Sequence, residues 1–462
     1  MSNKQTEPPQ DVGLYAAATK IYPREMDGRF AKLSKLATYV LLGLFYVVPW
    51  LMWDDRQAFL FDLPARKFHL LGLTLWPQDF IYLAWLLMIL AFTLFFFTAL
   101  AGRLWCGFAC PQTVWTEAFI WMEQWTEGTR SQRMKLDKAP WSWNKLRRKG
   151  SKQFLWITFS LWTGFTFVGY FTPIRELAVD VVNLNVGGWT LFWGLFYGFA
   201  TYGNAGYMRE QVCKYMCPYA RFQSVMFDKD TLVISYDEKR GEPRGGRKRS
   251  VDYKAEGLGD CIDCTLCVQV CPTGIDIREG LQYECIACAA CIDACDSVMD
   301  KMNYPRGLVR YTTEHALAGG KTRVFRPRMF VYAGLLTILM TALITSIATR
   351  TPVILDVLRD RNALFRELPG DIIENTYTVK ILNQSNDPRA FRLSVEGVPG
   401  LTLDGVDDEI EVEGGGVLSL PVRARTHRDN AYGIMNITFF VSAVDDENVA
   451  TEEDSRFLGP TP

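Results

Sequence analysis

Residues 261–272 read CIDCTLCVQVCP, and residues 285–296 read CIACAACIDACD. Each run holds four cysteines spaced C-x2-C-x2-C-x3-C: Cys261, Cys264, Cys267 and Cys271, then Cys285, Cys288, Cys291 and Cys295. Two such runs in tandem point to a pair of [4Fe–4S] clusters. Three thiolates of each cluster come from a tight loop, whose x2 spacing lets the chain curl around one face of the cube. The fourth comes from the far end of the other run. The spacing predicts Cys261, Cys264, Cys267 and Cys295 on one cluster, and Cys285, Cys288, Cys291 and Cys271 on the other. Zinc ribbons and a disulfide framework are the competing readings. Zinc ordinarily takes two C-x2-C pairs across a longer loop, not a three-plus-one run. Asp296 stands where the second run would usually carry a proline like Pro272. That exchange is expected to change the second cluster's solvation and potential without removing a ligand.

The 462 residues around these runs leave room for several domains, and a net charge of −1 gives no case for nucleic acid. An aromatic content of 13%, with 14 Trp and 29 Phe, suggests a membrane setting. Five charge-free apolar segments are long and apolar enough to span a bilayer, which needs about 20 residues as helix: 36–53, 80–102, 153–174, 181–208 and 329–349. The fourth is the least apolar, and its membrane part is expected at 187–205. Lys and Arg set the orientation. Segment 1–35 carries six, loop 54–79 three, loop 103–152 ten and loop 175–180 one; Lys321, Arg323, Arg326 and Arg328 precede the last span. The alternation predicts a cytoplasmic N-terminus and an exported C-terminal domain. No cleavable signal peptide is read, because the first apolar run follows 35 mostly polar residues. Both ferredoxin-like runs then fall in the cytoplasm, where thiols stay reduced.

The domains expected are an arm 1–35, a four-helix membrane region 36–208, a cytoplasmic portion 209–327, a fifth span 328–350 and an outer domain 351–462. Loop 54–79 reads as a short outer loop, with Phe68–Trp76 along the interface. Residues 117–149 read as an amphipathic, Trp-rich inner loop, and 238–250, EKRGEPRGGRKRS, as an exposed linker. Such a linker faces solvent or headgroups, or guides an acidic electron donor. From residue 370, acidic residues outnumber basic ones 17 to 7, and the alternating runs TYTVKIL, FRLSVEG, EIEVEG, VLSLPVRAR and NITFFVSAV read as strands. Short strands at this spacing predict an immunoglobulin-like β-sandwich, either docking a partner or passive. The fold class is thus a polytopic α-helical membrane protein of five spans, with a ferredoxin-like 2[4Fe–4S] α+β domain and a C-terminal all-β sandwich.

The other four cysteines form two C-x3-C-P motifs, Cys106–Cys110–Pro111 and Cys213–Cys217–Pro218, each just after a predicted span. If the helices continue through them, i, i+4 spacing places each pair of sulfurs on one face, and the prolines disturb or end the helix. Four thiols would then share one level at the membrane boundary. A soft metal site for Cu(I), Zn or an Fe–S cluster, two dithiol–disulfide couples and small-residue packing compete. Met208 and Met216 are nearby thioethers that either assist a soft metal or pack in the core or interface, and Arg103 and Lys214 either lower thiolate pKa values or anchor to headgroups. Only His69, His315 and His427 occur, none in a predicted span, which excludes a bis-His haem in the bilayer. Neither a phosphate-binding Walker loop nor a row of intramembrane carboxylates is present, so ATP-driven pumping and proton translocation are not supported.

The order WCGFACPQTVWTEAF, QVCKYMCPYARFQSVMFD, the twin ferredoxin runs, a last span and a sandwich closely resembles the CcoG/FixG/Rdx family. Those proteins are accessories of cbb3-type cytochrome oxidase assembly, and the match covers nearly the whole chain. The resemblance implies a bacterial inner-membrane protein with two [4Fe–4S] clusters on the eight cysteines from Cys261 to Cys295. It further implies cupric reductase activity, giving Cu(I) for the oxidase, with Cys106, Cys110, Cys213 and Cys217 at the family's C-x3-C-P positions. Its partners would be the oxidase or its assembly factors, a cytoplasmic electron donor, copper and the bilayer. Two alternatives are a quinone-linked electron carrier and a non-enzymatic scaffold or copper carrier.

Overall fold

The computed structural model describes residues 20–461, apart from 251, 362, 386 and 447. Residues 1–19 of the expected arm, with Lys4, lie outside the described residues. The chain divides into two compact units at residues 339 and 340.

The first unit begins with helix α1, Arg29–Val47, which continues as a 3-10 turn to Trp50. It follows with α2, Phe80–Ala101, and three shorter helices, α3 Leu104–Phe108, α4 Pro111–Glu127 and α5 Arg130–Lys138. Next come α6, Trp143–Val168, α7, Ile174–Val182, and α8, Gly188–Thr201. Two π-helical segments, Tyr202–Met208 and Val212–Met216, lead to α9, Pro218–Met226. Short helices α10 (Glu238–Gly241), α11 (Leu266–Gln269), α12 (Ala290–Met302) and α13 (Glu314–Leu317) follow, and α14, Pro327–Ala348, runs from the first unit into the second.

Among the described residues three helices are long and apolar enough to cross a membrane: Arg29–Trp50, Phe80–Ala101 and Pro327–Ala348. The other two expected spans are helical but fall short. The first half of α6 carries Lys145, Arg147, Arg148, Lys149 and Lys152, which leaves 153–168 as its apolar part. The region 181–208 is broken into the end of α7, α8 and a π segment. These two helices nevertheless cross as closely as membrane pairs do. A Cβ on Gly164 would lie 2.0 Å from the Gly194 carbonyl oxygen, and one on Gly198 would lie 3.2 Å from that of Ser160.

Two expected loops are structured. Loop 54–79 forms an antiparallel meander of Phe59–Asp62, Lys67–Leu70 and Leu73–Leu75, because alternating aromatic and aliphatic residues give it one face to cover. Residues 117–149 are the helices α4 and α5 and the start of α6, not a loop. Four of the ten basic residues in 103–152, Arg103, Arg133, Lys145 and Lys152, are buried. Arg133 and Lys152 face the buried carboxylates of α4, while Arg103 and Lys145 donate to backbone carbonyls. Glu123 accepts from Arg209 at 2.7 Å, and Glu127 meets Lys149 at 3.0 Å and Lys152 at 2.9 Å. Burial alone would push the Glu123 carboxyl up, but Arg209 and Lys20 hold it down at about 2. These charges tie helices together, so a simple count of basic residues overstates what remains to face lipid headgroups.

The second unit is a two-sheet all-β domain. One sheet runs Thr402–Asp404, Val417–His427, Ile372–Asn383, Val353–Arg359, with Arg366–Leu368 also paired to the long third strand. The other runs Ile410–Val412, Arg389–Glu396, Ile434–Ala443, Ala450–Leu458. Tyr377, Phe391, Phe439 and Phe457 are fully buried between them. All five expected strands are present. The highly charged strand Ala450–Leu458, ATEEDSRFL, escaped the pattern because it lies at a sheet edge with mostly exposed side chains.

The N-terminus of α1 is fixed by the cysteine-bearing helix α12. The buried Asp293 carboxylate accepts from the backbone N–H groups of Phe30, at 3.3 Å, and Ala31, at 2.8 Å. A carboxylate there satisfies orphan donors and complements the helix dipole. Asp293→Ala should lower stability by about 1 kcal/mol, the usual worth of such a cap. Asp293→Asn should retain most of it. Thermal melting in detergent checks this, and equal melting of Asp293→Ala and wild type would remove the cap from the account.

A dicluster cradle against four membrane-proximal thiols

Each cysteine run is bent by left-handed residues on both sides of its second cysteine. Asp263 (φ 52°) and Thr265 (φ 56°) flank Cys264; Ala287 (φ 57°) and Ala289 (φ 62°) flank Cys288. None is glycine, so each costs on the order of 1 kcal/mol. Alternating right- and left-handed residues turn successive N–H groups into one concavity, a device suited to anions and Fe–S sites. Helices α11 and α12 start at once and carry Cys267 and Cys291. The runs differ at their ends. Helix α11 stops before Cys271–Pro272, whereas α12 continues through Cys295–Asp296. A proline at 296 would break that helix; Asp296 instead accepts from the Gly307 N–H at 2.9 Å.

The cysteines sort into two small cavities. One is lined by Cys261, Cys264, Cys267 and Cys295. The other is lined by Cys271, Cys285, Cys288 and Cys291, and Cys267 reaches it as well. The cavities therefore share a wall at Cys267. Among the described residues no three His, Cys, Asp or Glu side chains converge closely enough to hold a single metal ion. Four-sulfur rings around a cavity, in a nest of N–H groups, fit the larger cubane. Burial pushes the thiols up: Cys267 to about 11, Cys295 to about 12, and Cys285, Cys288 and Cys291 in the same direction. Thiolates in such a place need a bound cation to stabilise them, and coordination to metal deprotonates a thiol outright.

The helices do not continue through the C-x3-C-P motifs. Helix α2 ends at Ala101, Gly102 turns with φ 56°, and α3 carries Cys106. Cys213 sits on the second π-helical segment. Cys110 and Cys217 are extended N-cap residues of α4 and α9, and Pro111 and Pro218 start those helices rather than ending one. Proline is at home in a first turn, where its missing N–H costs nothing. The expected gathering of four thiols still occurs by this other route. Burial raises Cys106 to about 12 and Cys213 to about 11, and the neighbouring thiols add to both. Cys106 donates to the buried Gln223 Oε1 at 3.4 Å. Arg103 opposes these shifts, but burial outweighs it. Met216 is exposed.

Motif and cradle touch. A Cβ on Gly107, inside the first C-x3-C, would lie 2.7 Å from the Ala287 carbonyl oxygen and 2.9 Å from that of Ile286. Gly107 thus lets the thiol motif press on the loop between Cys285 and Cys288. The buried Arg103 straps the same junction, donating to the carbonyls of Tyr283 and Ala220. Sequence reading missed both contacts; the glycine between two cysteines was the available sign. The expected linker 238–250 is also partly ordered. Arg247 stacks on Tyr253 at 4.6 Å and on Tyr304 at 5.3 Å, and donates to the Gly259 carbonyl at 2.6 Å and that of Cys261 at 3.3 Å. It closes over the first cysteine run.

Residues 208–314 match a family described as a 4Fe-4S dicluster domain, 83–128 a 4Fe-4S binding domain, and 343–460 an Ig-like fold at the C-terminus of FixG, putative oxidoreductase. The chain is 39% identical to "Nitrogen fixation protein FixG" of Rhizobium meliloti, covering 84% of this chain and 82% of that protein. It is 40% identical to "Protein RdxB" of Cereibacter sphaeroides, covering 85% of each. The chain belongs to the FixG/Rdx family. A crystal structure of a FixG-related protein from Vibrio parahaemolyticus is 35% identical, covering 23% of this chain and 96% of that one at a TM-score of 0.22. With 4Fe-4S domains and an oxidoreductase-type C-terminal family, this member of the family is an iron–sulfur redox protein. The match at 83–128 contains only Cys106 and Cys110, and the fold brings Cys213 and Cys217 to them.

Gly107→Val should separate the motif from the loop. At a contact this short on backbone atoms, overpacking costs typically 1–3 kcal/mol. The expected result is lower thermal stability and slower electron delivery to any acceptor at the four thiols, with iron content kept. Wild-type melting and wild-type delivery together would show that the contact is immaterial.

Proposed function

We propose that this protein is a cupric reductase of the bacterial inner membrane, converting Cu(II) to Cu(I) for assembly of a cbb3-type cytochrome oxidase. The supporting observation is the backbone contact at Gly107, which sets four soft thiols against the loop of the second cysteine cavity. On this reading Cys261, Cys264, Cys267 and Cys295 hold one cluster, and Cys271, Cys285, Cys288 and Cys291 the other. Bound clusters supply one-electron carriers whose potentials, in the range of roughly −700 to +450 mV, are set by hydrogen bonds and exposure.

The chain's own residues do the rest. The left-handed residues of both loops turn N–H groups inward, and Cys267 keeps the two cavities adjacent. Arg103 binds the carbonyls that frame the second run and places positive charge beside Cys106 and Cys213. Copper enters as substrate. Cys106, Cys110, Cys213 and Cys217 meet it, and soft sulfur favours the reduced ion. Copper chemistry at this site requires no proton transfer and no covalent intermediate.

The membrane arrangement proposed is five spans, with the close crossing of α6 and α8 supporting the two short ones. The N-terminus and the dicluster segment 209–327 would be cytoplasmic, and the domain 351–462 periplasmic, facing the oxidase or its assembly factors. A second reading is favoured by the 4Fe-4S match at 83–128. There the four thiols hold a further cluster and copper is reduced elsewhere.

Replacing Cys106 and Cys110 together by Ala should leave the cluster absorbance intact and abolish reduction of Cu(II), assayed with a Cu(I)-specific chelator. Surviving copper reduction would take these thiols off the route. Loss of part of the cluster absorbance and iron would favour the second reading.

A further inference from the structure

A cavity of about 390 Å³ lies between the arm 21–27 and the first turns of α1, helix α4, the second π segment, the end of the first cysteine run and the start of the second. That volume is in the usual range for a small-molecule site. Cys288 and Cys213 both line it, so an occupant reaches the second cluster cradle and the four-thiol group at once.

The rim is aromatic and adjoins an apolar surface. Tyr39 and Trp121 pack with ring centroids 4.9 Å apart, and both line the cavity with Trp125. Tyr39 is 62% exposed, beside Leu36 at 60% and Val40 at 50%, on a helix long and apolar enough to cross a membrane. An occupant arriving from the hydrocarbon would pass these rings. Inside sits Glu117, whose Oε1 accepts from Trp121 Nε1 at 3.0 Å. Burial pushes the Glu117 carboxyl up, against the opposing pull of the Trp121 hydrogen bond and of Lys35, which also lines the cavity.

We infer that this cavity is a quinol-binding site, with Glu117 as the proton acceptor. The ligand class follows from the walls: a flat ring against the Tyr39–Trp121 pair, a lipophilic tail along α1, and an exchangeable proton beside a carboxylate. Oxidation of a quinol to the quinone releases two protons and two electrons. One proton goes to Glu117 and on to solvent, and the second follows once Glu117 is free again. The two electrons would leave singly, and the clusters that Cys288 and the other cradle cysteines would hold supply one-electron acceptors for them. This electron step rests on the cluster assignment proposed above; the binding site does not. The same wall at Cys213 sets the electron source beside the thiols that take up copper. The carboxylates of Glu25, Asp27 and Glu210 also line the cavity, so entry of Cu(II) by this route is the rival outcome.

The test uses the full-length protein in detergent, loaded with its metal, and an azido-ubiquinone photolabel mapped by mass spectrometry. Label should fall on peptides from 29–47 or 111–127 and be displaced by decylubiquinone but not by Cu(II). Thr116→Phe and Ser34→Phe fill the cavity from opposite walls. Each should cut labelling at least about tenfold, a loss of roughly 1.4 kcal/mol in binding, with iron content unchanged. Glu117→Gln should keep the labelling and slow bleaching of the cluster absorbance by decylubiquinol about 100-fold, the lower end of general-base catalysis. No labelling of those peptides, labelling undiminished in both filled variants, displacement by Cu(II) alone, or wild-type bleaching in Glu117→Gln would overturn the proposal. Photolabelling needs no cluster, so protein that labels but lacks iron would refute the cluster assignment and leave the site standing.

Discussion

The close approach of Gly107 to the carbonyls of Ile286 and Ala287 is the contact on which the first unit depends. Electron transfer requires centres held near one another, and a side chain at 107 would wedge the first C-x3-C-P motif away from the second cysteine run. Three attachments guard that approach. Asp293 caps α1 from the helix that carries Cys291 and Cys295. Arg103 binds carbonyls on both sides of the junction. The arm joins through Arg24, whose N–H donates to the Gln269 carbonyl at 2.9 Å. The dicluster insert is therefore built into the membrane helices rather than tethered to them.

Part of the energetic cost of this architecture falls at the cysteines. Four non-glycine residues are left-handed, and thiols are buried where their charged form is disfavoured. Cluster binding would offset both, since a structural metal contributes folding free energy directly. Elsewhere the strain is local. Arg209 has φ 39° between the two π segments, and its guanidinium is held by Glu123 and stacks over Trp156 at 5.5 Å. π-Helical turns of this kind concentrate at functional sites, and here they present Cys213.

The cysteine spacing divides the eight ferredoxin-type thiols into two groups by the reach of a short loop, and the two small cavities have those linings, with Cys267 in both. The five strands with apolar alternation were equally legible. What escaped was whatever depends on distant partners. Glu123, Glu127, Arg133 and Lys152 look like ordinary surface charges in sequence, yet each is buried against another. Arg247 looked like part of a solvated run, but two tyrosines distant in sequence capture it. Prolines 111 and 218 read as helix stops because the apolar segments before them dominate the pattern, whereas the chain breaks earlier, at Gly102 and at the π turn. The cavity beside Glu117 left no sequence sign, since its walls come from five separate segments.

The central claim is that the two cysteine runs cradle two cubane clusters beside four thiols that hold no further cluster. Metal and sulfide analysis of anaerobically purified protein, with electron paramagnetic resonance of the reduced form, tests it most directly. Two clusters require about eight iron and eight sulfide per chain and spins that interact across a shared wall. Zinc in their place, no metal, or about twelve iron per chain would contradict the account.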